Sequence, residues 1–170
     1  MDTNRFWALI EAAKTQASGE VDVQGKLLTL KLVELTEDEI IAFDQMCYEL
    51  HVAAYTIPRW TAAEIVNAGA SDDGFFYSRE WLIFQGRDVY ERALRDPETL
   101  ADAIVINPDW LAECECCLSA ARDAYRNKTG RELPWRDYRA PEISSDDLER
   151  FRRTNPFPRL NARADARYHA

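Results

Sequence analysis

Apolar positions recur at spacings of three and four along most of this chain, and no stretch alternates convincingly between apolar and polar. Over residues 3–17, Phe6, Trp7, Leu9, Ile10 and Ala13 fall at helical spacing. Asp2 or Thr3 is placed to cap that helix, and Gly19 follows its end. Residues 22–35 form a second pattern through Leu27, Leu28, Leu30, Leu32 and Val33, dense enough to leave a strand open, with Gly25 weakening the helix. The clearest start follows. Thr36-Glu37-Asp38-Glu39 is a capping box, and Ile40, Phe43, Cys47, Leu50 and Ala54 then trace one helical face.

Proline marks further starts. Pro58 suits the first turn of a helix ending near Gly69, and Asp96-Pro97 and Asn107-Pro108 repeat the signal of a capping side chain before proline. The last of these predicts a helix over residues 109–128 that Gly130 terminates. A short helix is expected over residues 144–153, capped by Ser144 or Ser145. The reading is an all-α, single-domain multi-helix bundle of about seven or eight helices. Residues 1–134 form its acidic core. Residues 135–170 form an irregular, Arg-rich C-terminal segment packed on the same domain.

The stretch from Ser71 to Asp102 holds the densest aromatic run. In residues 75–94 the apolar side chains first surround the helix axis (Phe75, Phe76, Tyr77, Trp81, Leu82, Ile83, Phe84) and then narrow to one face (Val89, Tyr90, Ala93, Leu94). Such a helix begins inside the protein and emerges toward solvent, with Gly86 allowing a bend at the changeover. Arg79, Glu80, Gln85 and Arg87 therefore call for partners, since an unpaired buried charge costs several kcal/mol. Asp72 lies two turns before Arg79, and Asp72 or Asp73 also suits the helix start, where an anion is favoured by about 0.3–1 kcal/mol. One expectation is a cap plus an internal ion pair of Arg79 with Asp72 or Glu80. The other is a polar pocket of Asp72, Asp73, Arg79, Gln85 and Arg87 in which an arginine binds an anion.

The same stretch carries a family resemblance. Its motifs are Phe6-Trp7, Ser71-Asp72-Asp73-x-Phe75, Arg79-x-Trp81-Leu82-Ile83, Gln85-Gly86-Arg87 and Asp96-Pro97-x-x-Leu100-Ala101, with Tyr125 and Thr129-Gly130-x-x-Leu133-Pro134 later. In these the chain resembles the bacterial domain-of-unknown-function family 4240, over about residues 2–160. Ala70 stands where many relatives have glycine. The resemblance implies an all-α domain and brings no catalytic assignment.

Charge narrows the partners. The net charge is -9, which repels nucleic acid and anionic membrane, so neither is expected as a partner. The balance is uneven: residues 1–130 hold 12 basic and 23 acidic side chains, whereas residues 131–170 hold nine arginines against seven acids. The arginine-rich end is expected to lie across its own acidic helices, anchored by Trp135, Tyr138, Phe151 and Phe157. No run reaches the roughly 18 apolar residues that span a bilayer, and the N-terminus does not read as a signal peptide. A cytoplasmic protein with its four cysteines as thiols is the expectation.

Candidate chemistry is sparse. A nucleophilic system would have to use His51, because the only other histidine is His169. Phosphate-loop and dinucleotide fingerprints are absent, and a carboxylate di-iron site would want Glu-x-x-His, also absent. Cys47 and His51 share one helical face and Cys114 and Cys117 another, so a Cys₃His zinc site is conceivable, yet without turn glycines the expectation is core packing and no cofactor. A non-catalytic interaction or regulatory module follows, with an immunity- or inhibitor-like protein masking a basic partner as one variant. The alternative is a small-ligand binder or enzyme using the Asp72–Arg87 polar set.

Overall fold

The computed structural model describes residues 1–104, 111–114, 119–135, 139 and 141–167. Among these the chain is all-α, without strands. Nine α-helices and one 3₁₀ helix follow in order: α1 (Thr3–Ala17), α2 (Val21–Val33), α3 (Glu37–Ala53), α4 (Ile57–Asn67), α5 (Asp72–Phe84), α6 (Arg87–Arg95), the 3₁₀ helix (Pro97–Asp102), α7 (Ala120–Thr129), α8 (Ser145–Arg152) and α9 (Pro158–Arg167).

The local starts are set by capping. The Asp2 side chain accepts from the Arg5 amide at 2.9 Å and starts α1. The Thr36/Glu39 capping box forms in full and starts α3, and Thr56 caps α4 with Pro58 in the first turn. Residues 22–35 are helix, so the strand left open by their apolar density does not form. One face of α2 stays outside, with Leu30 and Val23 exposed.

Three expectations change. The single helix over residues 75–94 is two, α5 and α6, because Gly86 takes φ +90°, a conformation that L side chains rarely adopt. A Cβ there would also come within 3.3 Å of Glu11 Cγ, a contact that the exposed Glu11 side chain relieves by a small shift, so the positive φ is the reason for glycine. The helix expected over residues 109–128 is reduced to α7: residues 111–114 are not helical, and the Asn107-Pro108 start lies outside the described residues. The C-terminal segment is more regular than expected, since α9 follows Pro158 and packs on the 3₁₀ helix and α4. Arg152–Glu64 and Arg159–Asp102 ion pairs tie that segment to the acidic helices, as its charge balance suggests.

The core runs through α1, α3, α5 and α6. Phe6 and Phe43 meet at 4.7 Å between ring centroids and Trp7 and Tyr90 at 5.5 Å. Leu28, Leu32, Leu82, Ile83 and Phe84 close around them, each fully buried side chain worth about 1.5–3 kcal/mol. Helix α3 packs on both α5 and α7, and this three-way junction places the site described next.

Candidate functional site

Helix α3 presents Asp44, Cys47, Tyr48 and His51 at i, i+3, i+4 and i+7, which is one face. Helix α5 presents Phe76 and Glu80, one turn apart, toward it. These side chains, with Phe43, Ala121 and Arg122 and with residues 132–135 across the mouth, line a pocket of about 640 Å³. Glu80 is buried at its wall, 5% exposed, while Trp135 at the mouth is 86% exposed.

His51 is the hub behind this wall. Arg79 Nη1 donates to His51 Nδ1 at 2.8 Å and to the His51 carbonyl at 3.0 Å, and Arg79 Nε donates to the Phe75 carbonyl at 3.3 Å. The guanidinium lies over the Tyr55 and Phe75 rings at 4.6 and 4.7 Å from their centroids. Since Nδ1 accepts, Nε2 carries the proton and gives it to the Phe76 carbonyl at 3.1 Å. Burial, and then the Arg79 charge, push the His51 pKa down to about 3, so the imidazole is neutral.

Glu80 Oε1 lies 3.4 Å from His51 Nε2, but that proton is already committed. Among the described residues no donor makes a hydrogen bond to the Glu80 carboxyl. Burial pushes its pKa up to about 8, Arg79 opposes this and Asp44 adds to it. At neutral pH the His51–Glu80 contact therefore joins two neutral groups and is not an ion pair.

The five residues marked by the sequence part company here. Arg79 is buried in the hydrogen-bond knot, and its acceptors are His51 and Phe75 where Asp72 or Glu80 was expected. Asp72 and Asp73 are exposed in the first turn of α5, where they complement the helix dipole, and the cap is Ser71, which accepts from the Gly74 amide at 3.0 Å. Gln85 ends α5, its carbonyl accepting from Lys14 at 2.8 Å. Arg87 is exposed on α6 and pairs with Glu91 at 2.6 Å and Asn4 at 3.0 Å. The structure does not bring these five to one cavity.

The four-residue metal set is likewise not assembled. Cys47 and His51 do share the pocket wall, but both His51 nitrogens are engaged. Cys114 is not helical; its amide donates to the Tyr77 carbonyl at 3.2 Å. Cys114 is also disulfide-bonded, which corrects the reading of four thiols; its partner lies outside the described residues, where Cys116 and Cys117 both fall. Among the described residues no group of three His, Cys, Asp or Glu is set to hold a metal ion, and no helix is long and apolar enough to cross a membrane.

Asp44 and Tyr48 are pocket residues that sequence reasoning passed over, and Glu80 was marked only as a charge in need of a partner. The available signal was the polar spacing 44-47-48-51 on a helix whose other face is apolar. No curated protein matches the chain, and no solved structure does. Residues 1–127 match the family described as "Protein of unknown function (DUF4240)", a span that takes in α1 to α6 and most of α7 and so every helical residue named in the pocket lining; the chain belongs to that family.

Proposed function

We propose that this chain is a non-catalytic binding module that takes one small group, free or projecting from a partner protein, into the α3–α5–α7 pocket. The observation that carries this is Glu80: a buried carboxyl that opens onto a cavity and receives no hydrogen bond from any described residue. Leaving such a group unmatched costs about 1–3 kcal/mol, which a ligand donor would recover. The walls add apolar and aromatic surface from Phe43, Phe76 and Leu133, the usual make-up of a ligand site. Exposed Trp135 at the mouth is a residue type enriched where proteins meet, and the charge of -9 favours a basic partner.

Native mass spectrometry of gently purified protein tests the reading. A reproducible bound species is expected, lost in Leu133→Trp, which fills the pocket from its wall, with the melting temperature retained. A bare wild-type chain, or a species that Leu133→Trp still carries, would remove the pocket from consideration. A second reading, an enzyme, is favoured by one feature: a carboxyl that keeps its proton to about pH 8 in a cleft is the kind of group acid–base catalysts use. Conversion of the bound species on prolonged incubation would select it.

A further inference from the structure

We infer that residues 133–135 form a strap that lifts to admit a ligand to the α3–α5–α7 pocket and settles over it afterwards. This rests on the binding reading above and adds how the site is entered. The lining residues on α3, α5 and α7 belong to helices held by their own hydrogen-bond ladders and by packing on one another. The remaining described lining residues, Glu132, Leu133, Pro134 and Trp135, lie outside any helix and make the outer wall. A site with one wall of this kind is entered where that wall is weakest.

The root of the strap is fixed and its span is not. Gly130 ends α7 at φ +70°, its amide donating to the Arg126 carbonyl at 2.8 Å, and the Arg131 amide donates to Thr129 Oγ1 at 3.0 Å. Arg126 clasps Glu132 through Nε and Nη2 at 3.0 and 2.8 Å. Arg131 pairs with Glu37, and its guanidinium lies 5.6 Å from the centroid of the Tyr125 ring. Beyond this root, Leu133, Pro134 and Trp135 make no hydrogen bond among the described residues. Leu133 is the one that packs, partly buried against the core, while Pro134 and Trp135 are exposed. Further on, the Arg139 amide donates to the hydroxyl of Tyr48, a lining residue of α3, at 3.4 Å. Lifting the span therefore exposes part of one leucine and breaks no ladder of backbone hydrogen bonds, which costs far less than moving a helical wall.

Cys47 reports on the strap from inside, since it is a free thiol on the α3 wall. The full chain is treated with N-ethylmaleimide, and alkylation of the Cys47 peptide is timed by mass spectrometry in urea concentrations well below the unfolding midpoint. The wild-type rate is expected to be nearly independent of urea in that range, because lifting exposes little surface. Leu133→Ala removes the packed anchor and is expected to speed alkylation about fivefold to tenfold. Arg126→Ala, a surface change that frees Glu132, is expected to speed it about twofold to threefold with the melting temperature retained. A Leu133→Ala protein that melts as wild type and reacts at the wild-type rate overturns the strap. So does a wild-type rate that climbs with urea in step with global unfolding. Should Leu133→Ala lose its fold, Arg126→Ala decides alone, and an unchanged rate there overturns the proposal. A bare chain in native mass spectrometry removes the binding reading instead, and the alkylation rates judge the strap without it.

Discussion

Arg79 and Glu80 are neighbours on α5, yet the regions on either side of His51 follow opposite rules. On the Arg79 side the cation donates to two carbonyls and an imidazole and lies over aromatic rings. On the Glu80 side an equally buried carboxyl lines the pocket and is met by a proton already given to Phe76. The first region spends its polar groups on holding α3 to α5. The second keeps one in reserve, and a buried polar group facing a cavity is where binding has most to gain. The largest test of the comparison is Arg79→Ala. It strips the donor from His51 Nδ1 and the cation from the stack, and is expected to cost about 3–5 kcal/mol in urea unfolding. A variant with the wild-type midpoint would mean that the knot does not hold the seam.

The second test separates the two sides by pH. Glu80 has a folded-state pKa near 8 against an ordinary 4.5, so between those values the folded chain keeps a proton that the unfolded chain has lost, and stability falls as pH rises. His51 has a folded-state pKa near 3 against 6.5, so between those values the unfolded chain holds the extra proton, and stability falls as pH falls. The two slopes oppose each other from pH 4.5 to 6.5. Above 6.5 only the Glu80 slope remains, amounting to about 2 kcal/mol lost by pH 8 at about 1.4 kcal/mol per unit. Glu80→Gln should flatten that alkaline limb and, by removing the opposing slope, let the acid limb of His51 begin at pH 6.5. An unchanged alkaline limb in the variant would show that Glu80 does not hold its proton in the folded chain.

The contrast between these regions was only half legible in the sequence. Helix starts were readable because capping is local: Asp2, Thr36 and Pro58 act on residues within four positions of themselves. The break at Gly86 was readable as a bend but not as two helices, because glycine permits a positive φ without dictating it and the packing of the two helices decides. The need of Arg79 for a partner followed from its apolar surroundings. The identity of the partner did not, since His51 is brought to it by the packing of α3 on α5. Arg59 shows the limit most plainly. It reads as an ordinary first-turn cation of α4, yet it is buried with one donor on the Ala93 carbonyl at 2.6 Å, and burial draws its pKa down to about 10. Glu80 was visible as an anomaly, but its role depends on a cavity that three helices make together.

Arg87 is the control for Arg79, since the sequence places both in one polar set. Its partners Glu91 and Asn4 are at the surface, and the Arg87 and Glu91 side chains are 45% and 46% exposed. Arg87→Ala should therefore cost no more than about 0.5–1 kcal/mol in the same urea titration. A loss as large as that of Arg79→Ala would erase the distinction between the buried and exposed arginines of this stretch.

The smallest expected effect on stability is at the pocket mouth, and it is the sharpest test of what the second region is for. Trp135 is 86% exposed, so Trp135→Ala should leave unfolding within about 0.5 kcal/mol of wild type. A large exposed aromatic contributes little to a fold, and its value has to come from something that covers it. If the pocket is a binding site, the same variant weakens ligand binding several-fold by removing one aromatic face. A marked loss of stability instead would make Trp135 part of the wall that holds residues 132–135 against α3. The cavity would then be a gap beneath a structural strap, and the buried carboxyl of Glu80 a cost of packing rather than a group held for a ligand.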